Sequence, residues 1–544
     1  MQVARLVGAA GSGKTTELLR VMEGAKAGLG GDPFAIGFAS FTRAARAEAV
    51  ARAGASWEIP PDVLAKDGWF KTVHGVAHRM LDIKKGQLIG DSKADQRWIA
   101  DALKVDVRVI MDDDSGYSMY AGDTAAAASL NCWELSRARV EPLCETIKRM
   151  SRTGQSPPTF AECKQFIQRY EQAKRLEERS DYADLLSRYV GIKFTPDGFY
   201  PVDPEGMHPK GVQAWIFDEA QDASKLVDLV CRRLADGPEV KWVYLAGDPF
   251  QAVFGFGGSD ASHFMGWEAN KQTVMQKSWR CPKPILELGE RCLRRMRKGY
   301  WDRGVAPADH EGEVRAGGGP SSIVPRLDPL ESTLIIARCN YTIDDWADTL
   351  KKKGIPFAKL KAKENTAILR GMKALWDLEH GKPVNGVDFA CAVAEIPVRG
   401  ADGALMARGV KTSWERDSTV DKWDRVYPSM LEQTGMTPYF IQRLNDGTWS
   451  ELVTGGDRWR LAAVKFGPEL ATKPQIRIGT VHAAKGMEAD TVCLATTTSR
   501  RVHESQQLDP EQYDEERRVE YVGVTRARKK LIVCSEPCDY RMML

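Results

Sequence analysis

The sequence predicts an α/β protein built on parallel sheets, and three observations carry that prediction. A short alternating strand at residues 2–7 runs through a glycine-rich turn into a proline-free helical stretch at residues 15–27. Two further strand patterns follow: residues 212–217 run into Asp218-Glu219, a carboxylate pair at a strand's carboxyl end, and residues 241–245 lead into Gly247-Asp248. The length, 544 residues, exceeds what one core organises, since single cores rarely grow beyond roughly 250–300 residues. More than one domain is therefore expected.

Composition bounds the partners without naming one. Lys+Arg 77 against Asp+Glu 74 leaves a net charge of +3, so any nucleic-acid surface must be local. The 11 cysteines include no C-x-x-C pair, the nearest two being Cys534 and Cys538. That scatter suits reduced, mostly buried thiols and argues against a disulfide framework, a zinc ribbon or an iron–sulfur cluster. With neither a secretory signal nor an apolar run of membrane-spanning length, a soluble cytoplasmic protein with no membrane partner is expected.

The first element carries the first chemistry. Gly8-Ala9-Ala10-Gly11-Ser12-Gly13-Lys14-Thr15 stands between strand and helix, the context in which this spacing makes a phosphate site. Its glycines let successive backbone N–H groups curl round phosphate oxygens, and the helix that begins with Thr15 and Thr16 adds positive potential. Lys14 is expected on the β- and γ-phosphates of a bound nucleotide and Thr15 on Mg²⁺. The second strand runs into Asp218-Glu219-Ala220-Gln221-Asp222. A carboxylate at the end of a buried strand beside a phosphate loop suits a metal, so Asp218 is the candidate ligand and Glu219 the candidate base for water.

The third strand leads into Gly247-Asp248-Pro249-Phe250-Gln251-Ala252-Val253-Phe254-Gly255-Phe256. Gln251 is the candidate γ-phosphate contact. Phe254 and Phe256, set among Gly255, Gly257 and Gly258, are expected on an exposed loop, where an aromatic face stacks on a base for about 1–3 kcal/mol.

Taken in order, these motifs resemble the superfamily 1A DNA helicases of the UvrD/Rep/PcrA type, a likeness running from residue 8 to residue 528. The series also includes Ser40-Phe41-Thr42, Thr72-Val73-His74-Gly75, Asp181-Tyr182-Ala183-Asp184-Leu185, Trp279-Arg280, Ala337-Arg338-Cys339-Asn340, Thr480-Val481-His482 with Lys485-Gly486-Met487-Glu488, and the arginine-rich segment from Glu515 to Arg528. The resemblance implies two RecA-like motor domains, each with an inserted, mainly helical subdomain, and ATP hydrolysis at the cleft between them. It implies Arg280 and Arg526 as arginine fingers, Trp279 stacked on adenine and Glu488 near the nucleotide sugar. For single-stranded DNA it implies Phe41, Thr72, His74, Phe254, Phe256, Arg338, Asn340, Thr480, His482 and Lys485, and it implies 3′ to 5′ movement.

The implied division is 1–80 with 181–275 for the first motor domain and 81–180 for its insertion, then 276–358 with 474–544 for the second and 359–473 for its insertion. Arg137, Arg139, Lys148, Arg149 and Arg152 of the first insertion are candidates for DNA phosphates, or for a solvated helix face. Trp376, Trp414, Trp423, Trp449 and Trp459 of the second belong to no motif.

Three departures qualify the resemblance, one being Gly257 where an arginine is expected after the second aromatic. An adenine-reading glutamine is expected upstream of the phosphate loop, yet Gln2 stands too close to it, so adenine selectivity should rest on Trp279 and backbone groups. A duplex-separating hairpin is expected after the last motif, but the sequence runs only to Leu544. Motion along DNA is thus better supported than unwinding. Substrates expected are single strands and single-strand/duplex junctions, with a nuclease, polymerase or repair factor as conceivable protein partner. The alternatives are a translocase that strips proteins without efficient unwinding, or an NTP-regulated DNA-binding subunit of a nuclease or of a repair or defence complex.

Overall fold

Short apolar runs rich in β-branched and aromatic residues form strands, and the longer segments between them form helices that cover both faces of the sheets. The computed structural model describes residues 1–84, 86–112, 117–153, 156–360, 366–415, 417–420 and 422–544. Part of the polar stretch near Asp112 (113–116) and the head of the second implied insertion (361–365) lie outside the described residues.

Strands β1 (Gln2–Gly8), β2 (Ile36–Ser40) and β3 (Trp69–Thr72) come first; β4 (Val107–Asp112) with β5 (Tyr117–Gly122), and β6 (Ile192–Thr195) with β7 (Gly198–Pro201), form antiparallel hairpins. With β8 (Ala214–Asp218), β9 (Trp242–Gly247) and β10 (Lys271–Met275), the first three build a sheet in the order β10-β1-β9-β8-β2-β3. Every neighbouring pair in it is parallel. A second sheet takes β11 (Glu313–Gly317), β12 (Thr333–Ala337), β13 (Ala358–Lys359), β14 (Ile476–Thr480), β15 (Ala489–Ala495) and β16 (Ala527–Cys534) in the order β11-β16-β15-β12-β14-β13. It too is wholly parallel. The protein is therefore α/β with two six-stranded parallel sheets, as two RecA-like domains require.

The chain forms two compact units. One comprises Met1–Gly312, Ser499–Thr525 and Met542–Leu544; the other comprises Glu313–Thr498 and Arg526–Arg541. In the first, β2 and β8 are buried along their whole length, and Trp215 and Phe217 stack at 5.9 Å on one face of the sheet. The helices Lys93–Leu103, Thr124–Arg139, Leu143–Arg152 and Phe160–Leu176 make a separate layer with its own core around Ile99, Leu130, Trp133 and Ile167.

Arg137 does not face phosphate or water, as the sequence allowed. It is buried, donating to Asp181 Oδ2 (2.9 Å) and to Glu134 Oε1 (2.5 Å), with Lys174 beside it on Asp181 (2.8 Å). A buried guanidinium needs such partners, because an unpaired charge in the interior is costly. Burial pushes the Asp181 carboxyl up, but Arg137 and Lys174 outweigh it and hold the group well below the usual carboxylate range. Asp181 also caps the helix Tyr182–Val190 in a reciprocal box with Asp184, which fixes where Tyr182 stands.

The second unit explains its tryptophans by packing. Trp414, Trp449 and Trp459 are buried in a helical core, and Trp376 and Trp423 pack against it. Trp376 meets Trp459 edge-on at 6.0 Å and Trp414 meets Phe389 at 4.9 Å. Fully burying a large apolar side chain is worth about 1.5–3 kcal/mol, which suffices to account for these residues structurally.

Candidate nucleotide and nucleic-acid site

Five of the first-unit motifs leave one edge of one sheet. The phosphate loop follows β1, Phe41 follows β2, His74 follows β3, Asp218 ends β8 and Asp248 follows β9. In open parallel sheets, ligands bind beyond the carboxyl ends of strands, where the connections diverge. Here β1 lies between β9 and β10, so the loop opens between connections leaving in opposite directions.

The loop has the backbone its chemistry needs. Gly11 (φ +68) and Gly13 (φ +83) are left-handed, a conformation open to glycine at little cost. A Cβ on Gly8 would fall 2.3 Å from Lys14 Cγ, and one on Gly11 would fall 2.3 Å from Arg280 Cβ. Lys14 starts the helix Lys14–Gly28, its ammonium donating to the Gly8 carbonyl at 3.1 Å, with Thr15 one residue on and Thr16 exposed. Ala9 and Ser12 are buried, and the Ala10 amide donates to Tyr521 Oη at 3.2 Å.

Residues 278–280 are fastened to this loop. Ser278 Oγ donates to the Ala10 carbonyl (2.8 Å) and the Trp279 amide to the Gly11 carbonyl (2.8 Å). The Trp279 indole is 66% exposed beside Gly13, so a planar base has a face to stack on without any core being disturbed. Arg280 Nη1 lies 3.4 Å from the Thr525 carbonyl it donates to.

The Asp218 carboxylate suits a cation. Asp218 is buried, and burial together with the Glu219 charge pushes its carboxyl up to about 7 against the opposing Lys14 ammonium. Its Oδ1 accepts the Glu219 amide at 2.9 Å. A buried oxygen donor whose negative charge is under-compensated, with a half-buried threonine hydroxyl at the start of the loop's helix, suits a hard divalent ion such as Mg²⁺. Asp218 and Thr15 would hold it, and it would supply charge neutralisation for the phosphates. Glu219 sits in the left-handed region at φ 54, strained for a residue with a Cβ, and its Oε2 accepts Gln221 Nε2 at 2.5 Å. Gln251 is 6% exposed, its amide nitrogen on Asp248 Oδ2 at 2.8 Å.

Among the nucleic-acid candidates, Phe41, His74 and Phe254 line one cavity with Tyr182, Ser224 and Ser259. Phe256 is 43% exposed, as an accessible loop requires, but Phe254 is 3% exposed. The two rings meet edge-on at 6.0 Å, so Phe254 buttresses Phe256 and presents no open face of its own. The expectation of two exposed platforms is corrected to one. Glycines flank both residues, and composition cannot distinguish the ring that turns inward. Thr72 accepts the Gly75 amide at 3.1 Å as the cap of its helix, while the His74 ring meets Tyr182 at 5.7 Å.

Burial lowers the His74 pKa to about 4, so the ring is neutral where an ordinary histidine would be charging. A depressed folded value contributes stability that is complete above the unfolded pKa of about 6.5 and is lost as pH falls towards 4. His74→Gln should therefore flatten the acid side of the stability profile. Chemical denaturation at about pH 7.5 and about pH 5 should show the parent losing about 2 kcal/mol more than the variant between the two. Equal losses would count against an enclosed, neutral ring.

The second unit holds the remaining candidates. Ala337 and Thr480 pair at the carboxyl ends of β12 and β14, so the segments bearing Arg338 and Asn340, and His482 and Lys485, leave adjacent strands. Thr480 Oγ1 accepts the Ala483 amide (3.2 Å), and Glu488 pairs with Arg528 at 3.3 Å on the surface. Arg526 is buried and donates to the Met487 carbonyl at 3.2 Å. Sequence reasoning gave no role to Gln221, Ser278 or Tyr521. Gln221 and Tyr521 stand inside motifs, and that position was the only available signal.

Fold and site define a P-loop nucleotide-binding protein of the superfamily 1 helicase type, with two RecA-like sheets. A model of the UvrD/REP helicase N-terminal domain matches residues 2–272, and a model of the UvrD-like helicase C-terminal domain matches residues 466–536. The chain belongs to the UvrD/REP helicase family. It is also similar to the ATP-dependent DNA helicase Rep of Escherichia coli (strain K12), 37% identical over 68 residues. That match covers 12% of this chain and 10% of the relative, so it spans about a tenth of the relative's length. Among the described residues, no helix is long and apolar enough to cross a membrane.

Proposed function

We propose that this protein is an ATP-dependent DNA motor that moves 3′ to 5′ along single strands. The observation that supports it most is the gathering of phosphate loop, candidate metal carboxylate, candidate base and Gln251 at one sheet edge, with Phe41 and His74 lining a neighbouring cavity. Turnover then depends on Lys14 holding the phosphates, Glu219 taking a proton from water and Gln251 registering the γ-phosphate, while Thr15 and Asp218 would hold a divalent ion that neutralises phosphate charge. Trp279 holds the base. Arg280 and Arg526 as transition-state cations, Glu488 near the sugar, and the strand contacts of Thr72, Phe256, Arg338, Asn340, Thr480, His482 and Lys485 belong to the same proposal and rest on the motif resemblance.

The domain division is proposed with it: 1–80 and 181–275, then 276–358 and 474–544, interrupted by 81–180 and 359–473. Its support is that the first sheet takes all its strands from residues 2–275 and the second from residues 313–534.

The deciding experiment uses the purified chain with duplexes carrying a 3′ or a 5′ single-stranded tail, read for ATP hydrolysis and for strand release. Hydrolysis should rise with single-stranded DNA, and release should favour the 3′ tail. Hydrolysis indifferent to DNA would overturn the motor reading. Stimulation without release would favour a translocase that strips proteins, and preference for the 5′ tail would reverse the polarity.

A further inference from the structure

Arg303 carries no motif, yet it is among the most enclosed cations of the first unit, its side chain 0% exposed. Its guanidinium donates from Nη1 to Asp248 Oδ1 at 2.8 Å, and from Nη2 to Glu290 Oε1 at 2.7 Å and Tyr521 Oη at 3.2 Å. It also lies over the rings of Phe250 (4.6 Å) and Tyr521 (5.3 Å). Two of these partners continue towards the nucleotide site. Tyr521 Oη accepts the amide of Ala10, inside the phosphate loop, at 3.2 Å. The second oxygen of Asp248 accepts Gln251 Nε2 at 2.8 Å, and the Asp248 amide donates to Gln221 Oε1 at 3.0 Å. Gln221 in turn donates to Glu219 at 2.5 Å.

Stability alone gives little reason for such an arrangement. A buried ion triad is commonly no better than apolar residues of the same volume, because desolvation offsets the attraction. What it supplies is orientation. A carboxylate accepts only from the NH₂ end of an amide, so Asp248 fixes which way the Gln251 carboxamide faces. Arg303 holds Asp248 with one nitrogen and Tyr521 with the other, in a planar fork that a lysine cannot reproduce. Three segments distant in sequence, around residues 10, 251 and 521, thereby share one rigid centre.

We propose that Arg303 is a positioning residue that locks the phosphate loop, through Tyr521, to Gln251, through Asp248, so that loss of the γ-phosphate is registered by both together. This rests on the reading of Gln251 given above. Arg303 touches no nucleotide, and its effect is on the geometry of groups that do.

The test compares Arg303→Lys and Tyr521→Phe with the parent, each alone and in a Gln251→Ala background. Tyr521→Phe keeps the ring and removes only the hydroxyl, so it answers the question should Arg303→Lys fail to fold. In the full chain, each single variant should lower kcat for DNA-stimulated ATP hydrolysis about tenfold, with KM for ATP within about twofold. Neither should lower kcat further once Gln251 is alanine, since residues acting through one another are not additive. Amide exchange should rise in the peptide spanning residues 8–15 and stay unchanged along β8. A purely structural role would instead loosen both peptides and add its effect to that of Gln251→Ala. Additive losses, or single variants with parental kcat and exchange, would overturn the proposal. Should Gln251→Ala itself hydrolyse normally, the sensor reading falls and the proposal falls with it; if the parent chain hydrolyses no ATP, the exchange result alone decides whether the lock exists.

Discussion

Glu219→Gln should lower the DNA-stimulated kcat for ATP hydrolysis by about 10²–10⁴-fold while leaving nucleotide affinity within a few-fold of the parent. That range is what a positioned proton acceptor contributes. Glu219 is held by strain and by contact: its backbone is left-handed at φ 54, and Gln221 donates to its carboxylate at 2.5 Å. The variant keeps the side chain's shape and one oxygen but cannot take a proton from water. Binding should survive because the loop glycines, Lys14, Thr15 and Asp218 are untouched, and a group that acts only in the transition state contributes little to the ground state. Steady-state hydrolysis with saturating single-stranded DNA, beside equilibrium binding of a fluorescent nucleotide, separates the two. Near-normal hydrolysis would remove Glu219 from the catalytic role and leave the φ outlier as a feature of the turn alone.

What the sequence disclosed, it disclosed through short segments whose chemistry is contiguous. The phosphate loop needs eight consecutive residues between strand and helix, and the structure gives a strand Gln2–Gly8 and a helix Lys14–Gly28 where residues 2–7 and 15–27 were expected. Asp218 and Glu219 were legible for the same reason, as the polar end of a run buried along its whole length. The rest depends on partners far apart in the chain. Arg303 meets Asp248 across 55 residues and Tyr521 across 218, and no local pattern marks a cation that will be enclosed. Arg137 read as one more surface charge in a basic stretch, although Asp181, 44 residues away, draws it inside. Phe254 and Phe256 have nearly the same neighbours in sequence, and only packing sends one ring in and leaves the other out. The tryptophans of residues 359–473 carry no motif because their function is the core they share.

Arg280→Ala should prove as severe as loss of the base, with kcat falling about 10³–10⁵-fold, the worth of an arginine that neutralises charge on a transferring phosphoryl group. The backbone of residue 280 is placed with little freedom. Ser278 and Trp279 are each hydrogen-bonded to loop carbonyls at 2.8 Å, the Cys281 amide donates to Ser278 Oγ at 3.1 Å, and the Arg280 Cβ lies against Gly11. The guanidinium, which donates to the Thr525 carbonyl at 3.4 Å, is the part of the residue that can turn towards a phosphate brought to the loop. Reorienting a side chain on a fixed backbone costs little, so the charge can reach the γ-phosphate as negative charge builds there. Arg280→Lys retains the charge but loses the planar fork, and should recover only part of the rate. KM for ATP should move far less than kcat in both variants, because the contact is made chiefly in the transition state. A kcat for Arg280→Ala within tenfold of the parent would show that the charge acts elsewhere, and a loss confined to KM would reassign Arg280 to ground-state binding of the phosphates.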